Sequence, residues 1–348
     1  MYPVAIIGES LAAQVAALAC GAGGFQEITR YAGPAESRGR SPILSLGANV
    51  SRLLRALAPD TIDALGYRPD RQQVRFAKSA YLLAELPLGE FYEQRYGAPL
   101  VNFGTRSLIN RLENDIANPL LASQSLEAIE QDNELTIVCA PRSAESPQGA
   151  PYTVFEASLP DHPLRRANVL WRGKGQYIEQ LSDTERVHFR FVTPSDLAFD
   201  EADWHPSLHQ ALDAKTHAGG IDLGSFQAKN TLFAGRLAYT SDALQIPLHC
   251  KVDGGNTAME DAWVLSRMME NYEEDIGDGL AAYERFRRPR HRKSLAQMYA
   301  HLTRLTQPST ARRFQQHVGT ALQNRLLPEI ALQQQDWLYE HDVIKGFR

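Results

Sequence analysis

Three glycine-containing turns punctuate this 348-residue chain, two of them where a backbone can meet an anion. The first, Gly8-Glu9-Ser10-Leu11-Ala12-Ala13, follows the apolar run Val4-Ala5-Ile6-Ile7 and opens a helix with Leu11, Val15 and Leu18 at helical spacing. The second is Gly254-Gly255-Asn256, ahead of a helix on which Ala258, Ala262, Leu265 and Met269 recur. Such helix starts leave backbone N–H groups bare, and glycine lets a phosphate or a carbonyl-rich ring come close. Asn256 suits an N-cap, and Glu260 and Asp261 are acids placed where the helix dipole favours them. The third turn, Gly235-Arg236, ends a short strand read at Thr231-Leu232-Phe233-Ala234. Arg106 opens a helix that turns Leu108, Ile109, Leu112 and Ile116 inward, and its charge suits a phosphate or plain solvent equally. Each turn also has a bland reading as an ordinary βα connection.

Other constellations point away from chemistry. His205 and His209 are four apart, with His217 beyond, but no cysteine or carboxylate set completes a metal site, and Pro206 disturbs the helix start. We therefore assign no metal ligands. Ser10 is not a nucleophile elbow, because Ala12 stands where that turn needs glycine. Cys20, Cys139 and Cys250 are scattered and odd in number, which fits a reducing compartment rather than a disulfide framework. The basic run Arg285 to Lys293 reads as a solvated helix face with some carboxylate pairing, and a net charge of -5 argues against nucleic acid. The apolar stretch Val4 to Cys20 lacks a basic flank, is interrupted by Glu9 and is too short to span a bilayer, so the expectation is a cytoplasmic protein without a transmembrane segment.

The order strand, Gly235, loop, Gly254-Gly255-Asn256, then Ala258-Met259-Glu260-Asp261-Ala262 resembles the second flavin motif of the FAD-dependent aromatic hydroxylases. These are flavoprotein monooxygenases of the salicylate, p-hydroxybenzoate and ubiquinone-pathway type. Leu280-Ala-Ala-Tyr283-Glu284-Arg285-Phe286-Arg287-Arg288-Pro289-Arg290 is similar to the helix that follows in that family, and Asp336-Trp337-Leu338-Tyr339 to its C-terminal end. The resemblance covers nearly the whole chain. It implies FAD, held by Gly8, Ser10, Ala13, Arg106, Gly235, Arg236, Gly254, Gly255 and Asn256, with NADH or NADPH as electron donor and a small aromatic substrate. It names no catalytic residue. The chain departs from the family pattern at Glu9, at Ala32 (where an acid holds the ribose), at Pro141-Arg142 (for Asp-Gly) and at Arg236 (for Asp). On this alignment Tyr239 takes a histidine's place and reads as a packed tyrosine.

The elements that must position these residues are those of an α/β protein. A Rossmann-like, FAD-binding βαβ domain is expected over 1–70, 100–145 and 225–300, starting with Val4–Ile7, the helix to Cys20, and a strand at Glu27–Tyr31. Residues 71–99 and 146–224 read as an antiparallel substrate-side sheet, with a helix over Ser195–Lys215 packed on it. Residues 301–348 form a C-terminal helical region.

Two functions follow. One is a diverged flavin monooxygenase that hydroxylates an aromatic or quinone-precursor ring, with FAD binding weakened by the lost acids. The other is a pseudoenzyme or accessory subunit, the same scaffold without FAD acting as a binding or partner protein. The sequence leaves open whether the chain pairs with itself or with another protein.

Overall fold

Four consecutive apolar residues can be buried on both faces only inside a sheet covered on both sides. Val4–Ile7 does this as β1, every residue buried. The computed structural model describes residues 2–33, 41–140, 150–221, 231–240, 256–307, 309, 312, 315, 318–319 and 328–347. In it β1 lies parallel to β2 (Ile28–Tyr31) on one side and to β8 (Leu135–Val138) on the other, with Val4 opposite Ile28 and Leu135. Helix α1 (Leu11–Ala22) makes the crossover between β1 and β2. The sheet continues outward to β7 (Leu120–Leu121) and, at the other side, to β15 (Leu237–Tyr239) and β14 (Phe233–Ala234).

The second sheet has the order β13-β9-β12-β11-β10-β4-β5. Its strands are β4 (Arg71–Phe76), β5 (Leu82–Pro87), β9 (Tyr152–Leu159), β10 (Ala167–Arg172), β11 (Tyr177–Ser182), β12 (Val187–Pro194) and β13 (Thr216–Ile221). The sequence suggests a purely antiparallel layer. Instead β4 and β10 pair in parallel; they are far apart in sequence, and no hairpin joins them. One face buries Trp171, Phe189 and Phe191 against Trp204 and Leu208; the other buries Leu170, Tyr177 and Val192 against Met298, Leu302 and Leu305 of the long helix α9 (Ile276–Leu305). A small ribbon, β3 (Ile43–Leu46) with β6 (Val101–Gly104), lies against β11.

The helix expected over Ser195–Lys215 is broken into short pieces. Asp200 caps a 3-10 turn at Glu201–Asp203, His205 caps another at Pro206–Leu208, and only His209–Asp213 is α-helical. Proline at the first position of a turn starts structure there, and its missing N–H disfavours a helix running through it. The remaining helices are α2 (Ala48–Leu57), α3 (Thr61–Leu65), α4 (Glu90–Tyr96), α5 (Thr105–Glu113), α6 (Leu126–Asp132), α7 (the His209 helix) and α8 (Asn256–Asn271), with a further helix at Pro328–Tyr339. Among the described residues none is long and apolar enough to cross a membrane.

Candidate functional site

Parallel strands offer ligands their C-terminal ends, and there the chain leaves β1 at Gly8. Gly8 has φ +126°, and a Cβ on it would stand 3.1 Å from the Ala140 nitrogen and the Cys139 carbonyl carbon. The Gly8 N–H donates to Tyr31 O at 2.9 Å and the Cys139 N–H to Ile7 O at 2.8 Å, so three strand exits are tied together. Ser10 then caps α1: its hydroxyl accepts from the Ala13 N–H at 3.3 Å and donates to Cys139 O at 2.9 Å. Ala13 is buried, which lets α1 lie close on the sheet. With Ala13 and Gln14 bonded to Ser10, helix geometry leaves the Leu11 and Ala12 N–H groups without intrahelical acceptors. The structure therefore brings Gly8, Ser10 and Ala13 together as one anion-compatible turn. Glu9 is exposed beside it.

Helix α8 runs alongside α1 in the same direction, because Arg267 near its end donates to Ala19 O, near the end of α1, at 2.6 Å. Both helices thus start at one end of the molecule. Asn256, however, spends its side chain internally: its Oδ1 accepts from the Gly47 N–H at 3.1 Å and its Nδ2 donates to Ser45 O at 3.4 Å, bracing the turn between β3 and α2. Gly254 and Gly255 lie outside the described residues, as do Pro141 and Arg142. Arg106 is exposed in the first turn of α5, whose start is fastened by the Thr105 hydroxyl to Ser41 O at 2.6 Å.

Gly235 and Arg236 are elsewhere. The buried strand expected at Thr231–Ala234 is only the half-exposed first arm of a hairpin, turned at Gly235 with φ +59°. The interior strand is β15, parallel to β8 with Leu237 opposite Thr136, and Arg236 O accepts from the Thr136 N–H at 3.0 Å. Arg236 therefore stands at the N-terminal edge of the sheet, exposed, at the opposite end from Gly8. Its charge does not bear on the ligand end. In sequence the residues that follow β15 are Thr240, Ser241 and Asp242, of which the last two lie outside the described residues. Tyr239 is packed inside β15 with Ile7, Tyr31 and Val138.

A buried ion cluster joins α8 to α9. Asp261 accepts from Arg287 Nε at 2.6 Å and His291 Nε2 at 2.8 Å. Glu260 accepts from Arg287 Nη2 at 2.8 Å, from Arg290 Nη2 at 2.8 Å and from Asn49 Nδ2 at 2.6 Å. Burial alone would raise both carboxyls; Arg290 and Arg287 hold Glu260 down at about 2, and His291 and Arg287 hold Asp261 lower still. This corrects two expectations at once. Glu260 and Asp261 lie past the first turn of α8 and are fully buried ion-pair partners, and the basic run on α9 turns Arg287, Arg290 and His291 inward. Arg290 also donates to Trp337 O and to Leu338 O at 3.2 Å, and Arg52 to Tyr339 O at 2.7 Å, clamping the last helix over the cluster.

The second sheet carries a polar group that the sequence reading missed. Arg190 Nη1 donates to Glu179 Oε2 at 3.0 Å, its Nε to Glu156 Oε1 at 3.4 Å, and its Nη2 to Ser41 Oγ. Burial lowers the guanidinium's pKa, but Glu179 and Glu156 raise it further, so Arg190 is permanently charged. Beside it His188 bonds Ser158 Oγ at 2.7 Å and Asp183 Oδ2 at 3.0 Å; burial holds this imidazole below its ordinary value, against the pull of Asp183. A narrow cleft is lined by Glu156, Glu179, His188, Arg190, Pro42 and Ile43 among others. The signal was present: in Val187-His188-Phe189-Arg190-Phe191 polar and aromatic residues alternate with period two, which puts His188 and Arg190 on one face.

The histidines read as a failed metal set serve the short turns. His205 Nδ1 accepts from the Ser207 N–H at 3.3 Å, and His209 meets Trp204 O at 3.2 Å and Glu201 at 3.0 Å.

No family model matches the sequence, and no curated protein matches it. Solved structures do. The chain is similar to a variant of HpxO from Klebsiella pneumoniae complexed with FAD, at 16% identity and TM-score 0.72, covering 95% of this chain and 97% of that one. It is similar to a salicylate hydroxylase substrate complex at 12% identity and TM-score 0.73, covering 100% and 97%. It is also similar to CtdE in complex with FAD and a substrate, at 13% identity and TM-score 0.72, covering 99% and 96%. Over nearly its full length the chain has the fold of the FAD-dependent aromatic hydroxylases, a Rossmann-type parallel sheet joined to a second, largely antiparallel sheet and C-terminal helices.

Proposed function

We propose that this protein is a flavin-dependent oxidoreductase of the monooxygenase type, acting on an aromatic or quinone-precursor ring. The observation that carries the reading is the turn at the end of β1. The Gly8 cradle has no room for a side chain, and the bare Leu11 and Ala12 N–H groups stand at the positive end of α1, as a pyrophosphate requires. Gly8, Ser10 and Ala13 would form that site, with Arg106 at the start of α5 as a further phosphate ligand. Ser10 acts by shape: its hydroxyl is committed to Cys139 and Ala13, so the contact to phosphate comes from backbone. When bound and reduced, the flavin supplies activation of O₂ and transfer of one oxygen atom to an electron-rich carbon. The protein orients the ring on the polar face of the second sheet and keeps water from the reacting atoms. NADH or NADPH is the electron donor in this reading.

One observation favours weakened cofactor binding. The second strand runs out at Tyr31-Ala32-Gly33, so the described residues at its end offer no carboxylate to the adenosine ribose. A binding or partner protein of the same fold, without FAD, is the reading to which that defect leads if carried to its end.

Titration of the purified protein with FAD, followed by flavin fluorescence and absorbance, is the test. Saturable binding of oxidised or dithionite-reduced FAD supports the enzyme; binding in neither state overturns it in favour of the FAD-free protein. Binding of the reduced form alone means that flavin arrives from a separate reductase.

A further inference from the structure

Among the buried polar side chains of the second sheet, Glu179 leaves an oxygen open at the wall of a cleft. Glu179 is 4% exposed, and its Oε1 is buried without a hydrogen-bond partner, while its Oε2 receives Arg190. A buried carboxylate oxygen left open costs free energy that a native structure retains for a reason. Glu179 lines the cleft between β11, β12 and Pro42-Ile43, and the free space there is about that of one water molecule. The neighbouring charges do not supply what Glu179 lacks. Arg190 has an acceptor on each of its three nitrogens, and His188 is kept neutral by burial and committed to Ser158 and Asp183. Two carboxylates, Glu156 and Glu179, thus share one guanidinium, and among the described residues that line it the cleft has one carboxylate more than it has cations.

We propose that the cleft beside Glu179 is a specificity subsite that receives an N–H donor, neutral or cationic, at the edge of a planar ligand and turns away a carboxylate. The proposal rests on the reading that this sheet face looks onto the substrate. Its chemistry follows from the open oxygen: an amino, amide or ring N–H group fills a water-sized space and completes the carboxylate's hydrogen bonding. An anionic group entering the same space meets Glu179 and Glu156, and among the described residues lining the cleft the cation is Arg190, engaged on each of its three nitrogens. A ring acid is therefore the wrong substrate class for this site, and a nitrogen-bearing ring the right one. The open Oε1 also sets direction, since the ligand's N–H edge must point toward β11.

Benzamidine, benzamide and benzoate have one shape and differ only in the group presented, so they form the test set. Calorimetric titration of the full-length protein, with and without FAD, is expected to rank benzamidine first, benzamide second and benzoate last, the ends of the series differing by about tenfold or more. Glu179→Gln keeps the side chain's shape and removes its charge; it should reduce that ratio by about tenfold, chiefly through benzamidine, with an unchanged melting curve. If Glu179→Gln does not fold, Glu156→Gln, which removes the other carboxylate, should shift the ratio in the same sense by less. Benzoate binding as tightly as benzamide, a ratio unmoved in the variants, or no binding of any of the three at millimolar concentration overturns the proposal. FAD binding without the ranking defeats the subsite alone; the ranking without FAD binding defeats the flavin reading and leaves the subsite standing.

Discussion

Two buried ion clusters in this molecule use the same residue types to different ends. Under α8, two carboxylates meet two arginines and a histidine, and all four carboxylate oxygens have donors. On the second sheet, two carboxylates meet one arginine, and Glu179 keeps an oxygen open. A closed network fixes one arrangement of helices and leaves nothing for a ligand. A network short by one donor is costly to hold and remains able to bind. The same chemistry thus makes a joint in one place and a recognition surface in the other, and what separates them is the count of donors.

That contrast can be broken most forcefully at Arg287. Arg287→Met leaves Glu260 and Asp261 buried without their shared partner and should cost about 3–5 kcal/mol in urea unfolding. A loss below about 1 kcal/mol would place the cluster among ordinary surface pairs. Acid attacks the same joint. Glu260 and Asp261 have folded values below their unfolded ones of 4.5 and 3.8, so their contribution is full above that range and disappears as pH falls through it toward about 2. His341, against Glu260, is pushed down to about 4 by burial and is also below its unfolded value of 6.5. Stability should therefore begin to decline below about pH 6.5, and His341→Gln should reduce that first decline, to which the buried His188 and His162 also contribute, while sparing the second. Melting temperature against pH reads both.

Next in size is Gly8→Ala. The left-handed φ and the contact at 3.1 Å predict a loss of about 1–3 kcal/mol, accompanied by loss of FAD binding if the flavin reading holds. Ser10→Ala removes the cap and the bond to Cys139 and should cost about 1 kcal/mol, with less effect on FAD than Gly8→Ala because the phosphate contacts are backbone. Smallest is Glu179→Gln, expected within about 1 kcal/mol of the native protein because it relieves a surplus charge as it weakens a pair. A loss near that of Arg287→Met would mean that both clusters are joints.

Much of the fold was legible because its signals are local. Val4–Ile7 with Gly8, the Leu135–Val138 run and the alternating strands from Tyr152 to Phe191 each declare themselves within a few residues. The strand that matters most near Gly235 did not. Leu237–Tyr239 is three residues long, too short for a period, while the neighbouring Thr231–Ala234 has the composition of an interior strand and is merely an edge arm. That error misplaced Arg236 and counted a charge against the cofactor that stands at the far end of the sheet. The ion cluster was hidden for another reason. Its partners sit on two helices, and sequence spacing relates residues within one helix only. Arg30 shows the same limit: read as a strand residue, it is fully buried and clamps Glu113 on α5 at 2.5 Å. For the candidate site, the glycine turn was recognised from its residues, whereas the open oxygen of Glu179 is a property of three strands and a loop taken together.

The parallel pairing of Arg71–Phe76 with Ala167–Arg172 has a kinetic consequence. Those two segments are far apart in sequence, with β7 and β8 of the first sheet between them, so their pairing closes a long loop and refolding should be paced by that late docking. Until then β10 shows a bare row of backbone donors and acceptors to solvent. Crowded refolding at high protein concentration should trap copies of the chain on one another along that edge, and dilution should rescue them.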